Sequence, residues 1–201
     1  MNALERLFGT ADRVKVLKLF LFNINDVFDK KDIIRRAKVS PNSARKEISV
    51  LESAGLIRKK THHKEIKRKN GNMEKVKFSG FGVNESFRYI IPLQNLLIHS
   101  APAQNEIVKK IARLGRVKLI VLSGIFLNDE EGRIDILIVG DDIKAGPLRS
   151  TISVMESELG KELRYAVFET ADFKYRMSVY DRLVRDVLDF PHQVLIDKIG
   201  L

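Results

Sequence analysis

The sequence has no cysteine among its 201 residues. That excludes disulfides, a thiolate zinc site and a thiol nucleophile, and it fits a reducing compartment. No stretch approaches the ~18 uninterrupted apolar residues that a membrane-spanning helix needs. The start, MNALERLFGTADR, is amphipathic and charged, unlike the apolar run of a secretory signal. There is no internal repeat and no long low-complexity run. No glycine-rich phosphate loop of the Walker or Rossmann kind occurs. Ser123 precedes Gly124 but lacks the flanking glycines of a nucleophile elbow. Histidine is sparse, at His62, His63, His99 and His192. The adjacent pair His62-His63 has no cysteine or carboxylate pair beside it, so it makes a poor metal site. The expectation is a soluble, cytoplasmic protein with no membrane partner, no metal and no cofactor.

What is present is a core and a lopsided charge. Hydrophobic residues make up 44% of the chain, enough for packed domains. The net charge is +10, but it is unevenly placed. Residues 1–98 carry 21 Lys+Arg against 10 Asp+Glu, and residues 99–201 carry 15 against 16. A basic half joined to a near-neutral half points the first at a polyanion. The plain alternative is a basic surface that only keeps the protein soluble. The weakest connection is HSAPAQ, residues 99–104. It divides the chain into domains at 1–98 and 105–201.

In the first half, Ala11–Asn23 places Val14, Leu17, Phe20 and Leu21 on a helical stripe. Asp29 can cap a second helix, KKDIIRRAK, with Ile33, Ile34 and Ala37 inward, and Val39 packs the turn. Ser40 followed by Pro41 is a helix start, and Gly55 supplies a left-handed stop after Ala54. On that third helix Ala44, Ile48 and Leu51 share the core face. Asn42, Ser43, Arg45, Lys46 and Ser49 point elsewhere. A helix presenting Asn, Ser, Arg and Lys after a tight turn is a helix-turn-helix arrangement, whose last helix enters the major groove. Its residues would reach base edges, with Ser40 or Asn42 on phosphate. Strands follow at Leu56–Thr61 and Lys75–Phe81, around the turn pair Asn70-Gly71. Residues 58–77 hold nine Lys+Arg and two Glu. Such a hairpin reads as a phosphate-gripping wing. It also reads as a charged edge that resists pairing. Phe87–Ile98 is an apolar segment that packs on this domain as a short helix.

Ala11–Phe81 resembles a winged helix-turn-helix domain of the ArsR/MarR-like type. The stretch SPNSARKEISVLESAGLIRKK carries most of the likeness. The resemblance implies that Ser40, Asn42, Ser43, Arg45, Lys46 and Ser49 read DNA. It implies that Arg58, Lys59, Lys60, Lys64, Lys67, Arg68 and Lys69 supply phosphate affinity. A homodimer reading two half-sites is a further candidate.

The second half reads as a helix (Glu106–Leu114), strands at Val117–Leu122 and Arg133–Val139, a helix (Pro147–Leu159), a strand (Leu163–Glu169) and mostly helix over Ala171–Leu188. LSGIFLNDEEGRIDILIVGDD, within it, is a strand, a loop and a strand with one acid near its start. This half resembles the minimal nucleotidyltransferase superfamily. The resemblance implies a Gly-Ser phosphate turn, an Asp-x-Asp pair and a third carboxylate, converging on divalent metal. Ser123-Gly124 stands in inverted order at the turn. Arg133 falls at the first acid, Asp135 at the second, and no acid lies near Arg164–Ala166. One ligand of three cannot hold Mg²⁺, and an Arg at a ligand position repels it. Asp129, Glu130 and Glu131 form a solvated loop cluster. Asp141 and Asp142 lie about 20 Å away along the strand. Asp135 is expected to pair with Arg133 or another base.

The fold class expected is therefore α+β: a winged helix-turn-helix domain, then a small α/β nucleotidyltransferase-like domain with a mixed sheet. The function expected is a DNA-binding transcriptional regulator whose second domain, catalytically silent, serves dimerisation or ligand sensing. Double-stranded DNA is the expected partner. A nucleotide held by Ser123, Gly124, Arg133 and Asp135 is a candidate ligand. The competing expectation is a divergent nucleotidyltransferase acting on a protein or nucleic acid. RNA is not distinguished from DNA by charge.

Overall fold

The computed structural model describes residues 3–67, 73–98, 104–127, 129 and 132–201, with side chains except at 62–67, 73–76, 98 and 104. The Asn70-Gly71 turn therefore lies outside the described residues, as does most of the 99–104 connection. The protein is mixed α+β. It forms two compact units. One is Met1–Ser100 with Glu156–Lys161, and the other is Ala101–Met155 with Glu162–Leu201. No described helix is long and apolar enough to cross a membrane.

The first unit runs α1 (Ala3–Phe8), α2 (Ala11–Leu21), α3 (Lys30–Ala37), α4 (Pro41–Ser53), β1 (Ile57–Lys67), β2 (Met73–Val83) and α5 (Ile90–Ile98). Its helix ends follow local chemistry. Thr10 Oγ1 accepts from Arg13 N at 3.1 Å, Asp29 Oδ1 from Asp32 N at 2.8 Å, and Ser40 Oγ from Ser43 N at 3.1 Å. Gly55 leaves α4 with φ +78°, a conformation that favours glycine. The expected stripe on α2 is wider than the sequence suggests. Val14 and every residue from Val16 to Leu21 are buried. The helix is central: α1, α3, α4, α5 and β2 all pack on it. A helix covered on every side loses its polar face. Gln94 of α5 donates its side-chain amide to Leu21 O at 2.6 Å, fixing α5 to the end of α2.

β1 runs from Ile57 past its expected end at Thr61 to Lys67, and β2 extends past Lys75 and Phe81 to Met73 and Val83, in antiparallel register from Ile57↔Val83 to Lys67↔Met73. Ile57, Phe81 and Val83 enter the core at its base. Phe28, in the α2–α3 loop, exchanges backbone hydrogen bonds with Phe81 at 2.9 and 2.8 Å. That bridge adds a third, one-residue strand. Neither it nor α1 is foreseen in the sequence, because each is too short to show a period.

The second unit runs α6 (Gln104–Ala112), β3 (Arg116–Leu122), a 3-10 turn (Gly124–Leu127), β4 (Ile136–Asp141), α7 (Ala145–Leu159), β5 (Tyr165–Phe168), α8 (Thr170–Ser178), α9 (Arg182–Leu188) and β6 (Gln193–Asp197). The last residues of α7 count with the first unit. The sheet order is β5-β4-β3-β6. β4 and β5 are parallel, joined by the α7 crossover, and the other pairs are antiparallel. The sheet is thus mixed. β4 is buried from Ile136 to Gly140, as a strand covered on both faces must be. Leu119, Val121, Leu137 and Val139 face Phe173, Val184 and Val187 of α8 and α9.

Three elements depart from expectation. β4 starts at Ile136 rather than Arg133, because residues 132–135 bend around the Gly124 turn. The helix expected over Ala171–Leu188 is two helices. Tyr180 takes φ +55°, and Asp181 restarts the chain by accepting from Leu183 N and Val184 N. The strand β6 is not foreseen, since QVLID is short and follows a Pro.

Candidate nucleic-acid interface and the buried Asp135 site

On α4, successive side chains are about 100° apart. Asn42, Arg45, Lys46 and Ser49 fall within one arc, and all four are exposed. Among the described residues neither Arg45 nor Lys46 has an ion-pair partner. Ser43 lies off this arc. It is half-buried, and its hydroxyl donates to Asp12 of α2. Ser40 is exposed, but its oxygen serves as the cap of α4. The arrangement offers two cations and two hydrogen-bonding groups on one helical face, the composition that reads base edges and phosphates.

The orientation of that face depends on a residue the sequence reading passed over. Glu47 sits beside the Ala44–Ile48–Leu51 face and is 1% exposed. It accepts from Arg13 Nε at 2.7 Å and from the Thr10 hydroxyl at 3.3 Å. Arg13 also donates to Phe8 O at 2.8 Å. A carboxylate at a core-adjacent helical position signals a buried partner, and Arg13 and Thr10 provide it. With Ser43–Asp12, two polar contacts from α2 fix the roll of α4.

In the hairpin, Arg58 and Lys59 are exposed. Lys60 is committed: its ammonium pairs with Glu85 at 2.8 Å. Its stem crosses Gly82, where an added Cβ would lie 2.8 Å from Lys60 Cδ. That hydrogen bond and the ammonium charge hold the Glu85 carboxyl below its ordinary value. Lys64 and Lys67 lie on β1, their side chains outside the described ones. Arg68 and Lys69 lie outside the described residues. Of the expected basic residues with described side chains, Arg58 and Lys59 are exposed and Lys60 is engaged by Glu85.

In the second unit, Asp135 is wholly buried. Its Oδ1 accepts from Ile125 N at 3.0 Å and from Arg164 Nη2 at 3.0 Å. Its Oδ2 accepts from Arg164 N at 2.8 Å and Arg164 Nε at 3.1 Å. The base is Arg164, not Arg133, which pairs with Asp186 at 3.0 Å. The reason is register: Ile136 lies opposite Tyr165, so Asp135 and Arg164 are neighbours immediately ahead of two parallel strands. Arg133 is two residues away and exposed. Gly124 wraps onto this carboxylate with φ +55°, and an added Cβ would lie 2.2 Å from Asp135 Oδ1. Ser123 is buried, and its hydroxyl donates to Ile134 O at 2.6 Å. Four N–H donors use the Asp135 lone pairs, and a guanidinium holds the place beside it. The four residues of the expected nucleotide pocket thus divide. Ser123, Gly124 and Asp135 are brought together, and Arg133 turns away to Asp186.

No described cluster of three or more His, Asp or Glu residues could hold a metal ion. No family model, no curated protein and no solved structure matches the chain.

Proposed function

We propose that the protein is a double-stranded-DNA-binding transcriptional regulator that reads its site with α4. The observation that supports this most is the single exposed arc of Asn42, Arg45, Lys46 and Ser49 on a helix whose roll is fixed by Glu47–Arg13. The adjoining hairpin adds Arg58 and Lys59 for phosphates, and the excess charge of residues 1–98 suits a polyanion. The first unit is read as a winged helix-turn-helix domain and the second as a nucleotidyltransferase-like module without transfer chemistry. What supports the absence of transfer chemistry is that Asp135 is already balanced by the Arg164 guanidinium. The competing reading, an active nucleotidyltransferase, requires Asp135 to free at least one oxygen from its N–H donors.

Fluorescence anisotropy tests the reading, with a fragment of the protein's own promoter region and a random duplex of equal length across a salt series. Tighter promoter binding that persists at higher salt is expected. The double variant Arg45→Ala, Lys46→Ala should keep its fold and lose that preference. Equal affinity of variant and wild type for the promoter fragment removes α4 as the reading element.

A further inference from the structure

The first unit closes on a segment that returns to it late in the chain. Glu156–Lys161, the last turn of α7 and the two residues after it, count with that unit. There they meet α2. Lys18 donates its ammonium to Glu158 O at 2.7 Å, 140 residues on in the chain. Asn23, just past the end of α2, donates its side-chain amide to Gly160 O at 2.7 Å and to Leu19 O at 2.7 Å. Gly160 lies against the α2 backbone: an added Cβ would stand 2.6 Å from Lys18 C, and its φ is +81°. We propose that this segment is a releasable clasp on α2, so that the first unit has a second, open state in which Lys18 meets water.

The chemistry of the contact carries the argument. Along the buried stretch of α2 from Val16 to Leu21, Lys18 is the one polar side chain, and it is 4% exposed. A position covered at all times is normally apolar, because a buried ammonium gives up its hydration. A lysine suits both states. Covered, its ammonium meets the last carbonyls of a helix, which lack partners within that helix and carry the negative end of its dipole. Uncovered, the ammonium returns to water while its stem stays on the apolar surface. Burial holds the Lys18 pKa down to about 8, against the Glu158 charge, so the closed state carries a desolvation cost that the open state does not. The Asn23 bond is also one that water replaces at little net cost. α2 carries Asp12 and Arg13, the residues that hold α4, so opening removes cover from the helix on which α4 is set. The clasp does not depend on what α4 binds.

The test is pulsed acetylation of the full chain with acetic anhydride, with Lys18 followed by mass spectrometry. Hydrogen exchange of the same samples marks complete unfolding of the first unit. Lys18 is expected to react through an opening at least about tenfold more frequent than the one that exchanges the slowest amides of α2 and α4. Asn23→Ala removes one bond of the clasp. It should speed the reaction of Lys18 by about threefold to tenfold and leave the slowest amides unchanged. Gly160→Ala, which forces a Cβ against α2 from the other side of the contact, should speed it at least as much. Lys46, exposed on α4, should react alike in all three chains. The proposal is overturned if Lys18 of the unaltered chain reacts only as fast as the slowest amides exchange. It is equally overturned if either variant leaves the Lys18 rate unchanged, or if Asn23→Ala speeds Lys18 and the slowest amides by the same factor.

Discussion

Replacing Arg164 with Ala should destabilise the second unit through a carboxylate the substitution does not touch. Asp135 has no exposed surface and takes four N–H donors, two of them from the Arg164 side chain. After the change it keeps only two backbone donors and loses its counter-ion. Stripping the partner from a buried ion pair costs about 3–5 kcal/mol. The Arg164 side chain is 43% exposed, so water can enter the vacated place and recover part of that. The expected loss is therefore nearer about 2–3 kcal/mol. Urea unfolding followed by far-UV circular dichroism measures it. Arg164→Lys should recover only part of the loss, because a point charge replaces a two-pronged fork. A double-mutant cycle with Asp135→Asn isolates the pair, with a coupling energy expected above about 1 kcal/mol. A loss under about 1 kcal/mol for Arg164→Ala, or a coupling near zero, would refute the reasoning.

Gly124→Ala should be at least as damaging, since its Cβ would collide with Asp135 Oδ1 at a φ of +55°. A loss above about 3 kcal/mol, or failure of the second unit to fold, is expected in the same assay, and wild-type stability would contradict the steric argument. In the first unit, Glu47→Ala should cost about 2 kcal/mol, because the half-buried Arg13 loses its partner but keeps its bond to Phe8 O and can reach water. Glu47→Gln should cost less, because it can still accept from Arg13, and equal losses would show that packing rather than pairing matters. Lys18 gives a pH signature. Burial lowers its pKa from 10.5 to about 8, partly opposed by the Glu158 charge. Between those values the unfolded chain binds more protons than the folded one, so stability rises with pH. Over that window the gain from this group is about 3 kcal/mol. Lys18→Met should flatten the rise, and an unchanged pH profile in the variant would assign it elsewhere.

Much of the fold is legible in local residue chemistry. Asp29, Ser40-Pro41 and Gly55 mark helix ends with side-chain chemistry that acts within four residues, so α3 and α4 can be read directly. Arg45 and Lys46 are similarly plain, because a helical period assigns them to the face opposite Ala44 and Leu51. What escapes is set at long range. Asp135 takes Arg164, 29 residues on, and that pairing follows only from the parallel register of β4 and β5. Glu47 takes Arg13, 34 residues back. Ser43 looks available by period alone, yet Asp12 on a crossing helix claims it. The break at Tyr180 is invisible for another reason: a tyrosine with positive φ is held there by its surroundings and not by its own preference.

The Glu47–Arg13 and Ser43–Asp12 contacts bear on rates as well as stability. A surface helix left to rock on apolar packing would have to be stilled at each encounter, and the cost would appear as lost affinity. Here the Arg13–Glu47 and Ser43–Asp12 contacts oppose that rocking. A ligand that meets Asn42, Arg45, Lys46 and Ser49 finds their backbone set and needs to order side chains alone. Association should then run without a slow rearrangement, and discrimination between ligands should reside in how quickly each one leaves.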